Sequence, residues 1–214
     1  GKNADYIPIL TKTPSELFGV VIATRDGKIY YAGDVDYKFS IQSVSKPFTA
    51  ALVMKQQGPK VLDDKIGVEP TGLPFNSRLA IETYKDKRSV NPLVNAGAIA
   101  AVSLVQATSE QDRWNKILQN ISDFAGSPTP LTVLEDVYES EYSTAFGNRA
   151  IANLLYNYER LYSDPEEAMR VYTRQCSIGV SAKDLAIMGA TLANLGVNPL
   201  TKKKVMNAND VPEL

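Results

Sequence analysis

Histidine is absent from this 214-residue chain, and cysteine occurs only once, at position 176. Without histidine the chain cannot build a Ser-His-Asp or Cys-His catalytic arrangement, or a histidine-ligated metal site. A single cysteine excludes an internal disulfide and a cysteine-rich zinc or iron–sulfur site. Metal binding by carboxylates, and chemistry carried by Ser, Lys, Tyr, Asp or Glu, are not excluded.

An excess of charge and a long apolar run are also missing. The 23 basic and 24 acidic residues nearly balance, which argues against nucleic-acid binding. The most apolar stretch, 93–105, is too short to span a bilayer. The first six residues show no signal-peptide or transit-peptide pattern. We therefore expect a globular chain with no nucleic-acid or membrane partner. Because a lone thiol is tolerated in a reducing compartment, we expect a cytoplasmic location.

The hydrophobic pattern predicts one hairpin and about seven helices. Apolar runs at 18–24 and 29–32 flank an Asp-Gly pair, which is a strong hairpin signal. Three- and four-residue apolar spacing predicts a helix over 43–57, with Pro47 tolerated only in its first turn. Residues 67–76, rich in Gly and Pro, predict an irregular loop. Further helices are predicted from near Asn95, after Ser109 with a capping box and an apolar stripe including Trp114, over about 148–162, after Pro165, and from Ser181 to a stop at Gly196.

The single hairpin raises a question of architecture, since a two-stranded sheet is marginally stable alone. Either the protein is nearly all-α with a β appendage, or strands that complete the sheet lie outside these 214 residues. We favour the second. We expect an α/β (α+β) fold in one domain over 1–214, with the N-terminal segment and hairpin in 1–40 and a mainly helical part over 41–200.

Ser43 and Lys46 form an S-x-x-K motif at a predicted helix start. Positions i and i+3 of a helix share a face, so the hydroxyl and the amine can approach each other. Lysine is a useful base near neutral pH only if burial or a nearby cation lowers its pKa from about 10.4. A buried neutral amine would take the serine proton as the serine attacks a carbonyl, and N–H groups at the helix start would stabilise the oxyanion.

The motif alone is weak evidence for catalysis. With 15 serines and 15 lysines in the chain, about one S-x-x-K is expected by chance. Its position after a hairpin and an extended segment, at the start of an apolar helix, matches the setting in penicillin-recognising serine enzymes. The alternative interpretation is that Ser43 caps a helix and Lys46 is solvated.

Five other polar residues each have a structural and a functional interpretation. Asn95 is either an N-cap or an amide that faces a ligand. Glu141 belongs to an acidic stretch, which usually marks a solvated face, or it receives a ligand's ammonium group. Asn148 is either a helix cap or a ligand contact. Tyr6 and Tyr172 are by default half-buried packing residues whose hydroxyl groups contact solvent.

Six stretches taken together resemble one family. They are 5–8 (DYIP), 39–47 (FSIQSVSKP), 67–76 (GVEPTGLPFN), 91–99 (NPLVNAGAI), 148–152 (NRAIA) and 175–178 (QCSI). In this order and spacing they resemble the serine-dependent glutaminases, which are relatives in fold of the β-lactamases and penicillin-binding proteins. The resemblance extends from Tyr6 to about Val205 and is weakest over 106–138.

The resemblance implies hydrolysis of L-glutamine to L-glutamate and ammonia, without a metal or organic cofactor, by a homo-oligomer. It makes Ser43 the acyl-forming nucleophile and one oxyanion donor, Lys46 its base, and Tyr6 a hydroxyl near both serine and substrate. Glu141 would receive the α-ammonium group, while amides and a tyrosine would receive the carboxylate end. The implied substrate site comprises Ser43, Gln42, Asn95, Glu141, Asn148 and Tyr172.

One departure from the family is that this sequence stops early. Family members continue with further strands, a second active-site tyrosine and a strand that supplies the second oxyanion donor. We therefore expect the 214-residue piece to lack its C-terminal strands and a complete active site. Two rival classes stay open. One is a penicillin-binding or β-lactamase-like acyl-serine enzyme, and the other is a non-catalytic amino-acid-binding domain.

Overall fold

Residues 2–83 and 88–214 are described by a computed structural model, and within them lie nine α-helices and four short strands. The strands are β1 (Gly19–Ala23), β2 (Ile29–Gly33), β3 (Phe39–Ser40) and β4 (Gly179–Val180). The helices are α1 (Lys46–Gln57), α2 (Lys60–Lys65), α3 (Leu79–Thr83), α4 (Asn95–Leu104), α5 (Glu110–Ala125), α6 (Glu135–Thr144), α7 (Phe146–Asn157), α8 (Pro165–Cys176) and α9 (Ala182–Ala193). Short 3₁₀ segments cover Pro8–Lys12, Gln42–Ser45 and Ala208–Glu213.

The predicted hairpin is confirmed. β1 and β2 pair antiparallel, with Gly19 opposite Gly33. The turn closes through a hydrogen bond of 2.9 Å from Thr24 N to Lys28 O. Gly27 has a φ of 90° in this turn, a conformation that a residue with a Cβ rarely adopts. One strand, β1, packs on α9, while most side chains of both strands are exposed.

A second ladder, which the sequence does not predict, joins β3 to β4 antiparallel. It is extended by a hydrogen bond of 2.8 Å from Ile41 N to Ile178 O. Two-residue strands are too short to show an alternating pattern, which explains why no signal marks them. The ladder ties the segment before Ser43 to the chain that leaves α8.

The core lies among α1, α4, α5, α7 and α8. Helix α4 is buried along almost its whole length, and its small residues let neighbouring backbone approach closely. At Gly97, a Cβ would collide with the Asn91 carbonyl oxygen, so only glycine fits there. The apolar stripe of α5, including Trp114, is buried as predicted. This packing fixes the starts of α1 and α4 beside each other.

Several helix ends differ from the prediction. Ser109 caps α5 by accepting from Asp112 N, but the Asp112 carboxylate accepts from Thr108 N, so the reciprocal half of a capping box is missing. The helix predicted over 148–162 spans Phe146–Asn157 and ends before Glu159, which has a φ of 58°. Helix α6 lies where a solvated acidic stretch was the simpler expectation.

The last predicted helix, after Ser181, is confirmed at its start but not at its end. Ser181 and Asp184 form a complete capping box. The helix stops at Ala193, three residues before the predicted stop at Gly196. Helices combined with small antiparallel sheets confirm an α/β fold. The division into 1–40 and 41–200, and the expectation of further strands, stay predictions.

Candidate active site

A cavity of about 380 Å³ opens between the N-terminal segment, the start of α4, the α6–α7 junction and α8. Seven of the eight predicted site residues line it, and the eighth, Lys46, is buried and bonds to the lining residue Asn95. The seven lining residues are Tyr6, Gln42, Ser43, Asn95, Glu141, Asn148 and Tyr172. Residues spread over 167 sequence positions are thus brought to one pocket. Their roles remain predictions, because geometry alone assigns none of them.

Ser43 is exposed in the 3₁₀ turn Gln42–Ser45, immediately before α1. The α-helix itself begins at Lys46, with Pro47 in its first turn, so the predicted start near Ser43 is occupied by the tighter turn. The N-cap position of α1 is Ser45, and no side chain caps that end. The interpretation of Ser43 as a helix cap is therefore wrong. The preceding residue, Gln42, has a φ of 50°, in the left-handed region that is unfavourable for residues with side chains.

Lys46 is only 3% exposed, so its interpretation as a solvated lysine is wrong. Its ammonium group donates to Leu93 O at 3.0 Å and to Asn95 Oδ1 at 2.7 Å. Burial lowers the pKa of Lys46 to about 8. Within the described part of the chain, Lys46 Nζ makes no direct hydrogen bond to the Ser43 hydroxyl. At mildly alkaline pH a large fraction of this amine is neutral and able to accept a proton.

The two asparagines link Lys46 to the pocket wall. Asn95 is the first residue of α4 and makes no N-cap bond, because the N-cap position is Val94. Its Nδ2 donates to Asn148 Oδ1 at 2.9 Å, while its Oδ1 accepts from Lys46. Asn148 lies in the first turn of α7 and also makes no cap bond. The capping interpretations of both residues are therefore wrong.

Glu141 is a partly buried carboxylate without a cationic partner among the described residues. Burial raises its pKa from 4.5 to about 7, and a hydrogen bond from Gln42 Nε2 at 3.2 Å offsets this only in part. The solvated-face interpretation is wrong for this residue. It does fit Glu139, an exposed neighbour on the same helix. A ligand ammonium group would supply the charge that Glu141 lacks.

The tyrosines differ from the default expectation in opposite directions. Tyr172, on α8, is 2% exposed, and its hydroxyl interacts with the Cys176 thiol and the Ser43 side chain. Burial raises the pKa of Tyr172 well above its ordinary value, so the group stays protonated and can donate. Tyr6 is 67% exposed at the pocket mouth. Neither is the half-buried packing residue expected by default.

Sequence reasoning missed several lining residues as members of the site. Phe75 and Asn76 come from the Gly/Pro-rich loop, and the Lys46 ammonium lies 5.7 Å from the centroid of the Phe75 ring. Cys176 lies one turn after Tyr172 on α8, a spacing that places both on one helix face. That spacing was an available signal for Cys176, whereas nothing in the sequence marks Arg78, which also lines the cavity.

The described residues contain no cluster of three or more His, Cys, Asp or Glu side chains suited to a metal ion. Within the same ranges, no helix combines the length and apolar character that a membrane crossing requires.

Comparison with known proteins identifies the family. The glutaminase family profile matches residues 1–214. The chain belongs to the glutaminase family. It is 53% identical to a glutaminase of Mycobacterium ulcerans over 214 residues, which cover 100% of this chain and 66% of that protein. It is 54% identical to a glutaminase of Colwellia psychrerythraea over 211 residues, which cover 99% and 67%. The chain thus spans about two thirds of the length of these curated relatives.

Solved glutaminase structures share the fold. The structure of the probable glutaminase ybaS superposes with a TM-score of 0.95 at 49% identity, covering 100% of this chain and 68% of that one. A probable glutaminase from Bacillus subtilis, solved in complex with 6-diazo-5-oxo-L-norleucine, superposes with a TM-score of 0.86 at 28% identity, covering 100% and 64%.

Proposed function

We propose that the protein hydrolyses L-glutamine to L-glutamate and ammonia through an acyl-enzyme on Ser43. The observation that carries this proposal is a pocket that combines an exposed serine, three residues before a buried lysine, with a partly buried carboxylate that has no cationic partner in residues 2–83 and 88–214. The first pair suits acyl transfer, and the lone carboxylate suits the α-ammonium group of an amino acid. Membership of the glutaminase family supports the same reaction.

The polar groups of the pocket complement both ends of glutamine. Glu141 would bind the α-ammonium group, because this contact supplies a counter-charge that no side chain in the described ranges provides. The Tyr172 hydroxyl, kept protonated by burial, and the Asn148 amide would donate to the carboxylate. Gln42 would orient Glu141 through their hydrogen bond, and Tyr6 would cover the substrate from the mouth.

The proton movements follow from the environment of Lys46. A neutral amine has two N–H groups, and the acceptors Leu93 O and Asn95 Oδ1 match them in number, which leaves the lone pair for the Ser43 proton. Ser43 Oγ then bonds to the side-chain carbonyl carbon of glutamine, and the Ser43 N–H stabilises the oxyanion. The C–N bond breaks as the nitrogen takes the proton from Lys46 and leaves as ammonia. Water then hydrolyses the ester by the same steps and releases glutamate.

The decisive experiment measures ammonia release from L-glutamine by the full-length protein, with wild type beside Ser43→Ala and Lys46→Ala. We expect wild-type turnover and a loss of at least about a thousandfold in kcat for each variant. Two variants as active as wild type would refute the dyad. Labelling by a fluorescent penicillin without ammonia release would indicate a penicillin-recognising enzyme. Glutamine binding without turnover would indicate an amino-acid-binding domain.

We also propose three further features, each with its own measurement. The S-x-x-K motif at the start of a helix that follows a hairpin supports a β-lactamase-like scaffold, which a structure of the complete protein would test. The resemblance to the family supports a homo-oligomer, which sedimentation equilibrium would test. A buried free thiol at Cys176 is compatible with the cytoplasm, which cell fractionation would test.

A further inference from the structure

A one-directional chain of hydrogen bonds lies behind the pocket wall. Thr49 Oγ1 donates to Gln175 Oε1 at 2.6 Å. Gln175 Nε2 donates to Ser45 Oγ at 2.9 Å, and Ser45 Oγ donates to Gln42 O at 2.7 Å. The side chains of Thr49, Gln175 and Ser45 belong to residues that are at most 1% exposed. A buried polar group needs a partner, and each link of this chain supplies one.

The series of hydrogen bonds ends at a strained peptide group. Its last acceptor is the carbonyl of Gln42, which belongs to the peptide group that joins Gln42 to Ser43. Gln42 has a φ of 50°, and a residue with a side chain keeps this conformation only where its surroundings hold it. The hydrogen bond from Ser45 therefore holds the peptide whose orientation sets the position of Ser43.

Gln175 connects this turn to a helix that also forms the pocket. Helix α8 presents Tyr172 and Cys176 to the cavity, while Gln175, on another side of the helix, reaches Ser45 and Thr49. The β3–β4 ladder holds the same two segments together through their backbones. The amide of Gln175 is the side-chain link that completes this attachment.

We propose that Gln175 is a positioning residue that, through Ser45, keeps Gln42 in its left-handed conformation and Ser43 in the attacking position. The proposal rests on the proposed role of Ser43 as nucleophile. Without the amide, Ser45 loses its donor and Thr49 loses its acceptor, so the turn relaxes toward ordinary backbone angles. Displacement of an attacking atom lowers kcat strongly. KM should rise by less than kcat falls, because Glu141 and Asn148 lie on α6 and α7, although movement of Gln42 weakens its hydrogen bond to Glu141.

Two near-isosteric variants, Gln175→Met and Ser45→Ala, test the proposal in the full-length protein. We expect each to lower kcat for L-glutamine by roughly 10- to 100-fold and to raise KM by a smaller factor, up to about fivefold, through the weakened Gln42–Glu141 hydrogen bond. The matched control is Thr173→Val. Thr173 is also on α8 and 1% exposed, but among the residues that the structure describes its hydroxyl bonds only to Met169 O, within the helix. This control should lower the Tm comparably and leave kcat within about twofold.

The proposal is overturned if kcat in both test variants stays within twofold of wild type, or if the control loses as much kcat as they do. If Gln175→Met does not fold, Ser45→Ala and Thr49→Val decide the matter, the latter with an expected loss of about three- to tenfold. Crystal structures give a readout independent of turnover. We expect Gln42 to leave the left-handed region in the test variants. If wild type releases no ammonia, the proposed function fails, and an unchanged Gln42 in these structures would separately refute the positioning role.

Discussion

Replacing Glu141 by glutamine should stabilise the unliganded protein at alkaline pH while it weakens glutamine binding. Glu141 is partly buried, accepts one hydrogen bond from Gln42 and has no cationic partner among the described residues. An ionised carboxylate in such a place costs free energy that a neutral amide does not. The amide oxygen of a glutamine can still accept from Gln42, so the change removes the charge and little else.

The sign and size of this change in stability follow from the pKa of Glu141, which is about 7 in the folded protein and 4.5 ordinarily. Between these values the folded state binds more protons than the unfolded state, so the contribution of Glu141 to stability falls as pH rises. The loss begins near pH 4.5 and is complete above pH 7. The difference between the two pKa values corresponds to about 3 kcal/mol in the free energy of unfolding. We reduce this to roughly 2 kcal/mol because the pocket is open to solvent.

The assay is thermal unfolding of the full-length protein without ligand, for wild type and Glu141→Gln, at pH 4.5 and pH 8.5. We expect nearly equal Tm values at pH 4.5 and a Tm higher by roughly 2–5 °C for the variant at pH 8.5, a smaller shift per kcal/mol than in a domain of about 150–250 residues because the assayed protein is longer. Glu139→Gln is the control, because Glu139 is exposed on the same helix, and it should leave Tm unchanged within about 1 °C at both pH values. A wild-type stability that exceeds the variant's at pH 8.5 would refute the reasoning.

Three further predictions concern protonation in the pocket. The logarithm of kcat/KM should rise with pH through apparent pKa values near 7 and 8, as Glu141 and Lys46 lose protons. The slope of this plot should be near two below the first pKa and near one between the two. A pH-independent profile from pH 6 to 9 would contradict this prediction. Asn95→Asp puts a carboxylate about 2.7 Å from Lys46 Nζ, which should raise the lysine pKa and move the rise in kcat by roughly 1–3 pH units to higher pH, whereas Asn95→Ser should not. Binding of glutamine to Ser43→Ala at pH 6 should release close to one proton, measured by calorimetry in buffers of different ionisation enthalpy, because the ammonium group ionises Glu141. An absence of buffer dependence would show that Glu141 does not meet the ammonium group.

The parts of the fold that the sequence predicts well are those with a local cause. The Asp-Gly pair at 26–27 directs the hairpin, and the cap at Ser181 starts α9 as predicted. The β3–β4 ladder joins residues that lie about 140 positions apart and has no such local cause. Helix α6 is not predicted for a different reason. Its acidic residues suggest a solvated stretch, whereas the face of the helix that carries Glu141 lines the pocket.

The candidate site shows the same division. The residues taken singly leave structural alternatives open, and it is the resemblance to the family that nominates eight residues, seven of which line one cavity. Burial, however, excludes several of the structural interpretations, and it is a tertiary property. Asn95 has a sequence position suited to a cap, yet its amide bonds to Lys46 and Asn148. The sequence marks Gln175 only as part of a stretch that resembles the family, because nothing near it in sequence reveals a contact with Ser45, 130 positions away.

Because the chain has no histidine, a base that works near neutral pH has to be made from another side chain. Imidazole is a base near neutral pH without help, whereas lysine must be moved there by its surroundings. The same low-polarity environment drives Lys46 and Glu141 toward their neutral forms, lowering one pKa and raising the other. In the proposed mechanism the neutral form of Lys46 is the reactive one. The neutral form of Glu141 would be the unliganded form, which the ammonium group of the substrate would ionise. Burial would then activate the proposed base and prepare the carboxylate for a cationic ligand, and the ionised carboxylate would lower the stability of the unliganded protein at alkaline pH.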